Sequence, residues 1–385
     1  MKKAELKWQE ASASFENNLP GVHVKQCSKF GKKPRSKVGN RQSGMTLIEI
    51  MIALLIGVFL IGGVIQIFLS TKKSYRTQES LSRIQENGRF ALELMDHDIR
   101  LAGYLGCSPA TTTNPVVIAN SPLVAPVAHA GIPAVVAAHT ITGGDDKTSF
   151  ASPNPATSSS PLATSVTQTT DAVTVQFGES CGGYTTAAMT NVNPTLVIPA
   201  TNTCGIVTGT PLIISDCDTA HIFRAAAATD NSQNKDATGS ATAVFPAGKS
   251  YAAGSEIMLF RSYTYFIQPG TGGLPSLWRL DNNKAVAAST NPVELIEGVE
   301  NMQILYGVDT DADGVANNYL AGTTANIPAT DWDKVVSMRT FLLLQSAEDN
   351  VTDKPVPYYY VASAAQTPTD RRLRKVFSST VALRN

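Results

Sequence analysis

A run of 25 residues, Met45 to Leu69, contains a single charged side chain, Glu49, in a stretch otherwise dominated by Ile, Leu, Val, Met and Phe. As a helix this run would extend roughly 37 Å, enough to cross a bilayer. No proline interrupts it, and Gly57, Gly62 and Gly63, which weaken a helix in water, are common in membrane helices. A secretory signal would be shorter and would end at a small-residue cleavage site, and nothing of that kind follows Leu69. The segment therefore reads as a membrane helix kept in the mature chain. Its one carboxylate narrows the reading further. A charge in hydrocarbon costs a few kcal/mol or more, so such an acid either sits near the interface or meets a partner that neutralises it.

The chain's net charge of zero hides an asymmetry. Residues 1–44 hold 10 Lys+Arg against 3 Asp+Glu, which leaves 21 against 28 for the remainder. Basic residues flanking a membrane helix stay in the cytoplasm, so the amino end is expected to face inward and everything after Leu69 outward. A solvated tail or a nucleic-acid arm is the rival reading of the basic run; the adjoining membrane helix favours topology, and no nucleic-acid partner is expected. Cysteine usage agrees with an exported domain. Cys27 lies in the basic leader, whereas Cys107, Cys181, Cys204 and Cys217 lie beyond the membrane segment, an even set that suits two disulfides with three connectivities open. The preferred arrangement joins Cys204 to Cys217 as a local loop and Cys107 to Cys181 between helix end and globular part. No CxxC pair occurs, and spacings of 74, 23 and 13 do not suit zinc ligation.

Beyond the membrane segment, Leu81, Ile84, Gly88, Ala91, Met95, Ile99 and Ala102 recur at spacings of three and four, one face of an amphipathic helix. One rod is expected from the membrane to about Leu101, ended by Gly103, with its stripe laid on the chain's own sheet rather than in a coiled coil. Residues 104–171 are rich in Ala, Thr, Ser and Pro and read as a loop or insertion. In the remaining 172–385, strands are expected at Ala172–Phe177, Pro211–Ser215, Glu256–Ile267, Met302–Tyr306 and Val335–Leu344. Crossover helices are missing, so the pairing should be antiparallel and the fold α+β: a long amino-terminal helix packed on an antiparallel sheet with long loops.

Gly44, Met45 and, four residues on, Glu49 resemble the processing site of type IV prepilins. The runs SLSRIQENGRFALELMDHDIRLAGYLGC (80–107), ELIEGVENMQILYGVDTDADG (294–314) and DRRLRKVFSSTVALRN (370–385), with PLIISDC and SLWRL, narrow the resemblance to PilW-type minor pilins. That resemblance implies a pilin-like fold and removal of leader 1–44 by a prepilin peptidase, which cuts between Gly44 and Met45 and methylates the new amine. It also implies assembly through Glu49 with other minor pilins, the major pilin and the inner-membrane platform. The expected location is the inner membrane, single-pass, with a periplasmic domain that later joins a filament. A leader of 44 residues is long for the family; a start at Val38 through a GTG codon would leave seven. Mapping the translation start tests that expectation. A type II secretion pseudopilin, sharing leader and helix, is the nearer alternative.

Three motifs could carry chemistry. Asp309, Asp311 and Asp313 before Gly314 form DxDxDG, which can gather carboxylates on calcium with Val315 and Asn317 completing the shell; Leu320 stands where an EF-hand has a bidentate glutamate. The plain alternative is a solvated acidic turn, and no cofactor is required. Gly178 to Gly182, GESCG, matches the G-x-S-x-G elbow, with Ser180 as nucleophile of a membrane-anchored periplasmic hydrolase. No helix start follows it and none of the five histidines completes a triad pattern, so Ser180 and Cys181 read as a disulfide-bearing turn and no enzyme activity is expected. Arg371, Arg372, Arg374 and Lys375 read as the charged wet face of a terminal strand rather than a nucleic-acid patch.

Overall fold

The computed structural model describes residues 46–107, 116–117, 141–147, 170–188, 198–199, 203–207, 210–224, 249–284, 290–323, 325–328, 331–361 and 364–383. Gly44, Met45 and the leader lie outside them. The chain divides into two units, 1–64 and 65–385. One helix, α1 (Leu47–Leu101), runs through 55 residues. It stops where the sequence indicates: Gly103 takes φ +84°, the left-handed conformation that glycine adopts freely, and Tyr104 N–H closes back on Leu101 O at 2.8 Å.

Twelve strands follow among the described residues: β1 (Val116–Val117), β2 (Ile141–Lys147), β3 (Thr170–Tyr184), β4 (Pro211–Ser215), β5 (Ala220–Arg224), β6 (Glu256–Pro269), β7 (Pro275–Asp281), β8 (Val293–Glu297), β9 (Val299–Val308), β10 (Asn318–Ala321), β11 (Val335–Gln345) and β12 (Arg374–Ala382). They form two sheets rather than the single one expected. The larger is ordered β1-β5-β4-β6-β3-β2, with β7 on β6 and β8 on β7; the smaller is β10-β9-β11-β12. Every pairing is antiparallel except the two-residue β1–β5. This is an α+β architecture without a closed barrel. β1 and β2 fall within the stretch read as loop, so its Ala- and Thr-rich composition did not keep all of it out of the sheet.

The sheets share one core with the helix. Ile84, Ala91, Met95, Ile99 and Ala102 pack with Val173 and Val175 of β3, Tyr265 of β6, Met302 and Ile304 of β9, and Met338 and Leu342 of β11. Gly88 is buried because the Phe377 ring occupies its place; a Cβ there would lie 2.6 Å from that ring. The start of β3 is stitched to β9 by polar groups: Ile304 N–H donates to Asp171 Oδ2 at 2.6 Å and Met302 N–H to Thr170 Oγ1 at 3.2 Å. β4 and the start of β6, Ile257 to Phe260, are apolar on both faces, as their hydrophobic runs require. Leu212, Ile214, Ile257 and Leu259 join one cluster, and Ile213, Met258 and Phe260 another.

The disulfides are Cys107–Cys217 and Cys181–Cys204, which corrects the expected pairing. Cys204 and Cys217 cannot meet because β4 lies between them, and its five extended residues carry the chain away by roughly 16 Å. Cys204 instead lies against β3, where Thr203 N–H donates to Cys181 O at 2.9 Å. Cys217 sits in the β4–β5 turn at φ +68° and meets Cys107 just past the helix end.

Candidate functional site

The amino end of α1 shows why an acid is tolerated there. Thr46 precedes the helix; its carbonyl accepts N–H from Glu49 at 3.0 Å and from Ile50 at 3.3 Å, and its hydroxyl lies 3.5 Å from Glu49 Oε2. Threonine followed three residues later by glutamate is the capping-box spacing, and a carboxylate in the first turn is favoured by the free N–H groups and the helix dipole. Glu49 therefore lies at the polar end of the apolar segment and not in its middle. From Leu47 to Leu69 the large apolar side chains are exposed, Leu47 to 77% and Phe59 to 74%, and the segment's mean hydropathy reaches 2.7 over 18 residues. A surface of that kind is stable only against lipid or other apolar helices, so this part of α1 is a single-pass membrane anchor.

The acidic turn after β9 brings one carboxylate oxygen from each of Asp309, Asp311 and Asp313 within 4.8 Å of one another. Asp309 is buried and organises the turn itself. Its Oδ2 accepts N–H from Gly314 at 2.7 Å, and its Oδ1 accepts N–H from Ala312 at 2.7 Å and from Asp311 at 3.1 Å. Those donors, Gly314's foremost, hold the Asp309 carboxyl below its usual range. Asp311 and Asp313 are exposed. The Asn317 side-chain oxygen accepts from Thr310 N–H at 2.6 Å and the Thr310 hydroxyl at 3.0 Å, so it is already engaged. The donor atoms fit a hard cation in kind, three carboxylates on one turn, with water needed to fill the shell.

The GESCG segment is not a strand-to-helix elbow. It lies inside β3, where Ser180 pairs with Met258 and a register shift separates it from Gly183. Ser180 and Cys181 thus sit on a bulged strand, which corrects the reading of them as a turn; the two extra residues, Cys181 and Gly182, let Cys181 bond Cys204. The basic cluster is also drawn into the fold. Arg374 is buried rather than on a wet face, its guanidinium bonding Glu300 Oε2 and Asp370 Oδ1 at 2.6 Å each, and Arg372 donates to Ser346 O at 2.7 Å.

Two functional groups escaped the sequence reading. Asp96 and Asp98 are buried on the sheet side of α1. Asp98 accepts the Tyr265 hydroxyl at 2.6 Å, and Asp96 accepts the Ser379 hydroxyl at 2.5 Å. A signal was available. Acids in the last turns of a helix oppose its dipole, so the DHD run before Ile99 called for partners.

Residues 264–385, from within β6 to the carboxyl terminus, match the family model described as type IV pilus-assembly protein W, PilW. Residues 39–65 match the prokaryotic N-terminal methylation motif, which spans Gly44, Met45 and Glu49. The two matched stretches are those of a PilW-family, prepilin-type protein. No curated protein and no solved structure gives a match. The PilW match takes in 294–314, 370–385 and SLWRL, while 80–107 and PLIISDC lie outside it. Together the two matches support a type IV pilus-related pilin, and the apolar amino-terminal helix supports its membrane anchoring.

Proposed function

We propose that this chain is a minor pilin of the type IV pilus that acts by assembly and not by catalysis. A prepilin peptidase removes the basic leader between Gly44 and Met45 and methylates the new amine, and the chain joins other minor pilins in a complex that primes polymerisation of the major pilin at the inner-membrane platform. Before assembly the amino end faces the cytoplasm and the β-rich domain the periplasm; afterwards the chain is part of the filament.

The observation that carries this reading is the position of Glu49, capped in the first turn of an otherwise apolar and exposed helix, directly after a leader that matches the methylation motif. As the helix leaves lipid for a bundle of like helices, the new cation of Met45, on the same chain or a neighbour, offsets the desolvation of the Glu49 carboxylate. Glu49→Ala should leave membrane insertion intact and strongly reduce piliation. Normal piliation in that variant would sink the role. In the same reading the Asp309 turn binds calcium through Asp309, Asp311 and Asp313. Titration of the full chain in detergent should give calcium-dependent heat that Asp311→Asn diminishes, and the site is rejected if calcium produces neither heat nor a rise in Tm.

A further inference from the structure

Among the described residues, the outer edge of β12 and the helix beside it hold polar groups without a partner. β12 pairs with β11 over nine residues without a register shift, and among the described residues no strand lies beyond it. Ser346 N–H donates to Leu373 O at 2.8 Å and Leu383 N–H to Val336 O at 2.9 Å. In an antiparallel ladder that parity turns the main-chain groups of odd-numbered residues toward β11, and those of Val376, Ser378 and Thr380 away from it. Natural edges are blunted by a charge, a proline or a bulge; Val376 to Ala382 has none of these.

Alongside this edge runs a groove of about 480 Å³, lined by Arg89, Glu93, Asp96 and Arg100 of α1 and by Ser378 and Ser379 of β12. Asp96 is only 9% exposed. Its Oδ2 accepts the Ser379 hydroxyl, but its Oδ1 is buried with no hydrogen-bond partner among the described residues. Burial raises its pKa, with the Ser379 hydroxyl and the Arg100 charge opposing. A buried acceptor without a donor is costly, and its natural complement is a cationic N–H donor.

We infer that this groove docks an extended segment of another pilus subunit, which adds a strand to β12 and sets a lysine or arginine opposite Ser379 against Asp96. Main-chain bonds to Val376, Ser378 and Thr380 supply affinity, and the side chain on the Phe377–Ser379 face, directed at α1, supplies specificity. Val376 to Ala382 carries no lysine or arginine, so a second copy paired through this stretch would set no cation opposite Ser379, and the occupant is a different subunit. The inference rests on the pilin reading above.

The test places a photoreactive amino acid at Ser378 in the full-length chain, produced together with its pilus subunits, and maps the cross-linked residue. The expected product joins Ser378 to an extended segment of another pilin-type subunit that carries Lys or Arg next to the link. Thr380→Pro removes one outward N–H and leaves the β11 ladder whole, so it should lower the yield about ten-fold, the weight of one main-chain hydrogen bond left unmade. Asp96→Asn, which keeps a side chain that can bond Ser379, should also lower it, and it decides alone should Thr380→Pro fail to keep the parent's Tm. The inference is overturned by a yield no higher than from a probe at exposed Lys354, by a link to a second copy, or by a yield that Asp96→Asn leaves unchanged. Loss of pili in Glu49→Ala without any Ser378 link would remove the docking site and keep the pilin reading.

Discussion

The two halves of α1 follow one backbone rule and two different packing rules. From Leu47 to Leu69 the helix is apolar almost all round and its side chains are exposed, whereas from Ile84 to Ile99 it narrows to a stripe that the chain's own sheets cover. The glycines show the contrast most directly. A Cβ at Gly57, Gly62 or Gly63 would meet nothing within 4 Å, while one at Gly88 would collide with Phe377. The lesson is that helical periodicity reports an internal partner and its loss reports an external one. The first half is finished by lipid or neighbouring subunits, the second by residues found in the same sequence.

That contrast can be broken at its strongest point with a pair of truncations. Met95→Ala empties a fully buried position and should lower unfolding stability by about 2–5 kcal/mol in denaturant titration. Leu60→Ala, at an exposed position, should leave that stability unchanged and show instead as easier extraction from membranes. An equal loss in both would mean that the first half has an internal partner after all. A smaller effect is expected where volume is added. Gly88→Ala should cost about 1–3 kcal/mol because the Phe377 ring must move, whereas Gly62→Ala should not lower stability.

The smallest effect is a pH dependence confined to the second half. Burial raises the Asp96 pKa, so the folded chain binds a proton that the unfolded chain releases in the window between the two values. Stability therefore falls as pH rises from the ordinary carboxyl range through the raised value. Asp96→Asn should flatten that fall, measured as Tm against pH, and a parent whose Tm climbs with pH through the same window without any Asp96 contribution would contradict it. Asp309 has the opposite sign: its lowered pKa gives stability that is present above the unfolded value and is lost as pH falls through the folded one.

What was legible in the sequence follows the same division. The helix, its stop at Gly103 and the stripe of Ile84, Ala91, Met95 and Ile99 could be read because period and glycine are local signals. β4 was bounded to the residue, since PLIIS lies between a Thr-Gly-Thr run and an aspartate in the sequence. β5, β7, β8 and β10 were missed: they are four to seven residues long and mix polar with apolar positions, so only their ladder partners make them strands. β1 and β2 were hidden by an Ala- and Thr-rich background. The disulfide pairing depended on which strand lies between two cysteines, a question of sheet order. Of the candidate site, Glu49 and the Asp309 turn are contiguous motifs and were found; Asp96 gains its meaning from Ser379, 283 residues away, and was not.

That separation also governs when the molecule can become itself. The helix stripe is made early in synthesis, yet Phe377, Ser379 and Val381, which seal part of it, lie in β12, which follows every other described strand in the chain. Contacts this distant in sequence form late and slowly, because the whole intervening chain must be closed first. Until β12 is made the chain therefore displays an uncovered apolar face beside an open strand edge, and tethering by the membrane helix keeps such half-made chains apart in a plane instead of free to collide in solution. A truncation that removes only β12 should thus act as a folding arrest rather than as the loss of a tail.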